Sequence, residues 1–95
     1  AKGAVAALDK ANISHGVDGD VVVMGFDCNK WALEELLAGN WNYDGQCNPF
    51  QASYIDEIIK TLESGGSIAE KTIIMDEKGF DASTITQEDV DAYGI

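Results

Sequence analysis

The chain has 95 residues, with six lysines, no arginines and seventeen acidic side chains, which give a formal net charge of −11 at neutral pH. So acidic a surface repels phosphate backbones and anionic lipid heads, which argues against nucleic acid and membrane surfaces as partners. A chain of this length forms one domain at most, and its hydrophobic fraction of 45% is typical of a folded protein rather than a disordered one.

The chain opens inside a helical pattern. Apolar residues recur at helical spacing over residues 2–12, and Asn12 is suited to ending that helix. Because Ala1 is neither an initiator Met nor an N-cap residue, we expect the sequence to be a fragment of a longer protein. Residues 14–20 are rich in Gly and Asp and predict a surface loop. His15 lies in this loop without a second histidine in the chain, which favours a solvated side chain over a metal-binding or catalytic one.

A strand, a helix and a second strand are predicted next. Residues 21–27, Val-Val-Val-Met-Gly-Phe-Asp, form a nearly continuous apolar run, typical of a strand buried on both faces of a parallel sheet. A helix over residues 31–38 follows, with Asn29 as its cap and Gly39 at its end. Aromatic and polar residues alternate over 40–47, which predicts a second strand, nearer the sheet edge than the first. This order is a β-α-β unit, whose crossover is expected to be right-handed.

The second half of the chain predicts two more helices and a strand. In the Asn48–Pro49 pair, the amide is suited to capping a helix and the proline to its first position, and apolar residues at helical spacing extend this helix over residues 49–63. The Ser-Gly-Gly-Ser segment at 64–67 ends it. Residues 71–75 indicate a short strand, and residues 86–93 a final short helix with a capping box. The whole pattern predicts an α/β fold with a parallel sheet.

Polar side chains gather where the two predicted strands end. Asp27 ends the first strand, and Cys47 and Asn48 end the second. Because the carboxyl ends of parallel strands face the same crevice, we expect these residues to line one ligand site. A carboxylate accepts hydrogen bonds from vicinal hydroxyls, an amide donates and accepts, and aromatic rings cover the C–H faces of a sugar, so the site suits a polyol. The aromatic candidates are Trp31, Trp41 and Phe50.

Each candidate also has a purely structural interpretation. Asp27 is suited to capping the helix that follows it, and Asn48 to capping its own helix. Trp31 and Trp41 are of a residue type found more often in a core than on a ligand platform.

The remaining reactive side chains predict neither a metal site nor a cofactor site. Cys28 and Cys47 are too few for a disulfide framework, and unpaired thiols are favoured over a disulfide between them. The sequence also lacks a glycine-rich phosphate loop and a serine nucleophile motif. The acidic residues expected on solvated faces are Asp44, Glu34, Glu35, Asp56 and Glu57.

Three segments together resemble the C-terminal part of type I periplasmic sugar-binding proteins. They are the run Val-Val-Val-Met-Gly-Phe-Asp, the Ala–Leu helix ending in Ala-Gly, and Gln-Cys-Asn-Pro-Phe at the start of the long helix. Proteins of this family are the solute receptors of bacterial ABC importers, and the group includes ribose-binding and galactofuranose-binding proteins. The similarity extends from Gly3 to about Phe80, and the spacing between Gly-Phe-Asp and Cys-Asn-Pro-Phe is its most specific feature.

The resemblance implies a fold of two α/β lobes, joined by three crossing segments, that close on the sugar. Residues 1–46 would belong to the C-terminal lobe, residues 47–70 to a crossing and a helix packed in the N-terminal lobe, and residues 71–95 to the return into the C-terminal lobe. The chain would then be a partial three-layer α-β-α structure with a parallel sheet, incomplete alone. We therefore expect the isolated chain to bind sugar weakly, and to self-associate or exchange elements with a copy.

The family's functional residues match few positions. Asp27 matches the aspartate that binds sugar hydroxyls. Cys47 stands where ribose-type receptors have a ligand-binding Gln, so Gln46 or Asn48 would take over that contact. The resemblance implies an extracytoplasmic, non-catalytic receptor that binds a monosaccharide without a cofactor and meets the membrane subunits of an importer.

Two other functional classes fit parts of the pattern. A LacI-type transcriptional regulator uses the same two-lobed fold with the sugar as effector, and a helix-turn-helix upstream of this segment would distinguish it. A receiver domain or enzyme with Asp27 as phosphoacceptor is disfavoured, because the acidic pair and the lysine that would hold Mg²⁺ and phosphate are missing from the pattern.

Overall fold

A computed structural model describes residues 1–95, with four helices and three short strands. In chain order these are α1 (Lys2–Lys10), β1 (Met24–Phe26), α2 (Lys30–Leu37), β2 (Tyr43–Gly45), α3 (Ala52–Glu63), β3 (Gly79–Asp81) and α4 (Gln87–Tyr93). β2 lies between the other two strands, parallel to β1 and antiparallel to β3. The fold is α/β, as predicted, but the sheet is mixed rather than wholly parallel.

The β1-α2-β2 segment forms the predicted parallel unit. Met24 lies opposite Tyr43, and Gly25 lies opposite Asp44. Helix α2 contacts both β2 and α4, so the core forms between these two helices and one face of the sheet. The buried apolar residues are Val23, Cys28, Ala32, Leu33, Leu36, Trp41, Phe80, Ile85 and Val90.

The predicted burial of the first strand on both faces is wrong. Val23 and Gly25 are buried, whereas Val22, Met24 and Phe26 are 66%, 62% and 73% exposed. Successive side chains of a strand point to opposite faces, and the core covers only one face of this sheet. The apolar run therefore alternates between the core and an uncovered face.

Two predictions about the other strands are also wrong. β2 occupies the centre of the sheet rather than a position near its edge, because β3 pairs with its second side. β3 itself, Gly79–Asp81, contains one large apolar residue and so gives a weak strand signal. Residues 71–75 form no strand. Instead, Ile73 and Met75 line a groove along α3 together with Tyr54.

Helices α1, α2 and α3 end with the same backbone geometry. A residue with positive φ follows each: Asn12 at 54°, Gly39 at 81° and Gly65 at 80°. After α1, the Ile13 N–H donates to the Leu8 carbonyl at 2.9 Å, which satisfies an orphan carbonyl of the last turn. The predicted helix ends are thereby confirmed.

The helix starts are confirmed for α4 and wrong for α3. Thr86 and Asp89 form the predicted capping box, in which the Thr86 hydroxyl accepts from the Asp89 N–H at 3.2 Å. Helix α3 begins at Ala52 rather than at the proline. The Asn48 Oδ1 accepts from the Phe50 N–H at 2.9 Å, so these residues form a turn before the helix instead of its first turn.

Helix α3 buries none of its residues. Ile55, Ile59 and Leu62, on its apolar face, are 51%, 48% and 54% exposed. The chain measures 62 × 24 × 16 Å, and its radius of gyration of 18.1 Å exceeds the value of about 12 Å expected for a compact chain of this length. None of the helices has the length and apolarity that a bilayer crossing requires.

Candidate functional site

The carboxyl ends of β1 and β2 open onto a common cleft of about 500 Å³. Its lining residues are Phe26, Asp27, Tyr43, Gly45, Gln46, Cys47, Glu77, Lys78 and Gly79. The parallel pairing of β1 and β2 therefore brings Asp27, Gln46 and Cys47 to one surface. Of the other predicted site residues, Asn48, Trp31 and Phe50 lie outside this lining.

Asp27 is exposed and its carboxylate forms no hydrogen bond or ion pair within the chain. Its backbone is fixed, because the Asp27 N–H donates to the Gly45 carbonyl at 2.9 Å and its φ is 89°. The capping alternative for Asp27 is wrong, since Asn29 occupies the N-cap position of α2. A carboxylate without an internal partner at the edge of a cleft is free to accept hydrogen bonds from a ligand.

Gln46, in the lining of the cleft, forms two hydrogen bonds with Lys78. The Gln46 N–H donates to the Lys78 carbonyl at 2.9 Å, and the Lys78 N–H donates to the Gln46 Oε1 at 3.1 Å. The side-chain Nε2 of Gln46 forms no hydrogen bond within the chain and is a free donor. The exposed Cys47 thiol lies next to it and is unpaired.

Asn48 is committed to the backbone around it. Its N–H donates to the Glu77 Oε1 at 2.7 Å, and its Oδ1 accepts from the Phe50 N–H. The Asn48 side chain therefore shapes the turn that leaves the cleft. Phe50 itself is 65% exposed beyond the cleft lining.

The rim of the cleft carries negative charge. Asp27 and Glu77 contribute carboxylates, while the Lys78 ammonium turns away and donates to the Asp89 Oδ1 at 2.8 Å. That hydrogen bond raises the pKa of Lys78 and lowers the pKa of Asp89, to which the Thr86 hydroxyl also donates. The Lys78 Nζ lies 4.5 Å from the centroid of the Tyr93 ring. The acceptors at the rim thus suit hydroxyl or cationic ligands better than anions.

Two aromatic rings in the cleft were missed by the sequence interpretation. Phe26 and Tyr43 lie on its wall, and Phe26 is the most exposed residue of β1 at 73%. The signal was present, because Phe26 directly precedes Asp27 on a strand whose side chains alternate between the two faces. Phe26 and Tyr43, rather than the tryptophans, are thus the aromatic residues of the cleft lining.

The tryptophans lie outside the lining of the cleft. Trp41 is 3% exposed and belongs to the core, as its structural interpretation expects. Trp31 meets it edge-on, with ring centroids 5.7 Å apart at 89°, and is 40% exposed. The Lys2 ammonium lies 4.9 Å from the Trp31 ring centroid, within a separate cavity of about 300 Å³ between α1 and α2.

The expected solvation of Asp44 is wrong. Its side chain is fully buried, and its Oδ1 accepts from the Cys28 N–H at 3.0 Å while its Oδ2 has no partner. Burial raises the pKa of the Asp44 carboxyl. Burial first, and then the neighbouring Asp44, raise the pKa of the Cys28 thiol to about 12. The reason for the error is the sheet: Asp44 lies on the core-facing side of its central strand, a position that the sequence interpretation assigned to solvent.

Cys28 and Cys47 are both free thiols, one buried and one exposed. No group of three or more His, Cys, Asp or Glu side chains is arranged to hold a metal ion. Of the other acids expected on solvated faces, Glu34, Asp56 and Glu57 are exposed, whereas Glu35 is half-buried.

His15 is not a solvated loop residue. Its side chain is 12% exposed, and its ring nitrogens lie 2.9 Å from the Asn40 carbonyl oxygen and 2.9 Å from the Asp9 Oδ1. Both partners are acceptors, so the protonated ring, in which both nitrogens donate, satisfies both contacts. Its pKa is raised, first by the hydrogen bond to Asp9 and then by that to Asn40. His15 thereby joins α1 to the end of α2, away from the cleft.

The comparisons with known proteins bear on the fold alone. No family model and no curated protein matches the chain. A crystal structure from Mycobacterium smegmatis matches with a TM-score of 0.72 over 85% of this chain, at 22% sequence identity. The chain spans 26% of the length of that protein.

Proposed function

We propose that this chain is part of the sugar-binding component of a bacterial ABC importer, and that it binds a monosaccharide without catalysis. The observation that carries the proposal is the Asp27 carboxylate, which has no internal partner and lines the same cleft as the free Gln46 amide nitrogen. A carboxylate acceptor and an amide donor on one wall match the vicinal hydroxyls of a sugar.

The aromatic wall supports the same ligand class. Phe26 and Tyr43 offer ring faces beside Asp27. Sugars combine hydroxyl edges with apolar C–H faces, so a binding site needs acceptors and apolar surface side by side. The cleft also lies at the carboxyl ends of two parallel strands, where α/β sheets place their ligands.

The complete site would need a second lobe. The cleft is open, and the uncovered sheet face and helix α3 expose apolar residues that a larger receptor would bury. In the proposed receptor, residues 1–46 and 71–95 belong to one lobe of three-layer α-β-α type, and residues 47–70 cross to the other. The cleft would then lie between the lobes, with the receptor outside the cytoplasm and in contact with the importer's membrane subunits.

Calorimetry on the whole receptor with a panel of neutral pentoses and hexoses tests the proposal. We expect one of them to bind, and Asp27→Ala to weaken it by at least about 10-fold, since a hydrogen bond to a charged group contributes about 1.5–3 kcal/mol. Asp18→Ala is the matched control, because Asp18 is an exposed acid with no partner in the chain. Equal affinity of the Asp27 and Asp18 variants would refute the site.

The exposed Cys47 thiol gives an independent readout. Iodoacetamide should label Cys47 and spare the buried Cys28, and a bound sugar should slow the labelling of Cys47. Labelling that a tightly binding sugar leaves unchanged would place that sugar outside this cleft and contradict the proposal.

A further inference from the structure

The turn that presents Asp27 has an uncommon backbone. Asp27 and Cys28 are consecutive non-glycine residues with positive φ, 89° and 53°. Side chains disfavour this region because of contact between Cβ and the backbone, and such residues persist only where their surroundings hold them. The turn directly follows β1 and directly precedes the N-cap residue of α2.

Two hydrogen bonds from neighbouring β2 hold this turn, and the Ile95 N–H donates to the Cys28 carbonyl at 3.1 Å. The Asp27 N–H donates to the Gly45 carbonyl at 2.9 Å, a backbone contact that any residue at 45 would supply. The Cys28 N–H donates to the Asp44 Oδ1 at 3.0 Å, a contact that depends on the side chain. Cys28 is 1% exposed, so no water replaces this acceptor if it is removed.

The surroundings of Asp44 are shaped around its carboxyl group. Asp44 is fully buried among apolar residues, and its Oδ2 has no partner at all. Gly25 lies opposite it on β1, where a Cβ would lie 2.7 Å from the Asp44 Oδ2 and 2.6 Å from the Trp41 Cζ3. A glycine therefore leaves the space that the carboxyl occupies. An acid in such a place is costly for folding, so stability alone does not account for it.

We propose that Asp44 is a positioning residue for ligand binding: its buried carboxyl holds the Cys28 N–H and so keeps the Asp27–Cys28 turn in the conformation that directs Asp27 to the cleft. The effect on ligand binding rests on the proposed function of the cleft, whereas the hydrogen bond that holds the turn is a property of the chain itself. Burial favours the neutral carboxyl, which still accepts through Oδ1.

Three variants test the proposal. Asp44→Asn keeps an acceptor at Oδ1 and should preserve the turn. Asp44→Leu keeps a branched side chain at this buried position but removes the acceptor, and should release the turn. Leu36→Ala is the matched control, because Leu36 is fully buried in α2, so its truncation would destabilise the fold while leaving the acceptor of the Cys28 N–H in place.

The first readout does not involve sugar. In the chain labelled with ¹⁵N at its two cysteines, the Cys28 amide should exchange at least about tenfold faster in Asp44→Leu than in Asp44→Asn, because a buried donor loses its acceptor. The three-bond coupling constant between the Cys28 amide proton and its α proton reports φ. It should change in Asp44→Leu and stay the same in Asp44→Asn and in Leu36→Ala. Gly25→Ala should reproduce the Asp44→Leu result, because its methyl group displaces the carboxyl.

The second readout is sugar affinity in the whole receptor. Asp44→Leu should weaken binding by about tenfold or more, with Asp44→Asn rescuing it and Leu36→Ala leaving it unchanged in the folded protein. A Cys28 coupling constant in Asp44→Leu equal to that of the unmodified chain would overturn the positioning role. If Asp44→Leu releases the turn but the receptor binds no sugar even before the substitution, the proposed function is refuted. The inference that Asp44 holds the turn would still stand.

Discussion

Helices α2 and α3 have similar amphipathic sequences, but only α2 is packed into the core. Both carry apolar residues at helical spacing, and both end in a glycine with positive φ. Helix α2 buries Ala32, Leu33 and Leu36 against the sheet and α4, whereas α3 buries nothing. An amphipathic pattern thus predicts that a helix forms with one apolar face, but the partner of that face comes from elements far away in sequence.

The largest expected difference between the two helices is the cost of truncating an apolar side chain. Leu36→Ala should lower the free energy of unfolding by about 2–5 kcal/mol, because it removes buried contacts and leaves a cavity. Ile59→Ala, which removes a side chain of similar size that is 48% exposed, should change it by less than about 0.5 kcal/mol. Urea unfolding of the chain measures both, and equal effects would mean that α3 is covered in solution.

A second expected difference is that the stability of the compact part around α2 depends on pH. The folded-state pKa of Asp44 is raised, so its contribution to stability is fully present below about pH 4 and is lost as the pH rises through the folded-state pKa. We expect the free energy of unfolding to fall over that range, because the carboxyl must ionise while buried and without a partner for its Oδ2.

Urea unfolding at a series of pH values from 4 to 8 measures this loss. Asp44→Asn should flatten the profile, since Asn does not titrate. An unchanged slope in that variant would assign the pH dependence to other groups.

The helix starts provide a smaller contrast. Thr86→Ala should cost about 1 kcal/mol, because it breaks the capping box of α4 and leaves backbone donors unsatisfied. Asn48→Ala should cost less than about 0.5 kcal/mol, because Asn48 forms an exposed turn ahead of α3 rather than its cap. Thermal unfolding followed by circular dichroism compares them, and a larger effect at Asn48 would argue for a capping role in solution.

The smallest expected effect concerns the attachment of α1. His15 bonds Asp9 of α1 and the Asn40 carbonyl after α2, and its raised pKa makes this contribution fully present below about pH 6.5 and lost as the pH rises through the folded-state pKa. The protection factors of the α1 amides, which correct for the base catalysis of exchange itself, should therefore be lower at pH 8 than at pH 6. His15→Gln should remove this pH dependence, and exchange in α4 serves as the internal reference.

Much of the local structure follows from residues close together in the chain. The ends of α1, α2 and α3 were predicted correctly because Asn12 and the glycines act through the few backbone groups beside them. The capping box of α4 was predicted for the same reason. The start of α3 was misplaced because an Asn before a Pro can form either a turn or a cap, and both use the same side-chain oxygen.

The candidate site was predicted in part. Asp27, Gln46 and Cys47 meet because they follow two parallel strands, a relation that sequence order makes visible. Phe26 and Tyr43 were missed because their place on the cleft wall depends on which face of the sheet is covered. Glu77 and Lys78 were missed because they directly precede the antiparallel neighbour β3, whose strand signal is weak.

By itself, the sequence determined the α/β class, the β1-α2-β2 unit and three helix ends, since each depends on backbone geometry and side-chain spacing within one short segment. Only the tertiary structure decided that Asp44 is buried, that β2 is central and that the apolar face of α3 is open. The physical reason is that burial and sheet position are set by the elements packed on either side, and those elements come from distant parts of the chain.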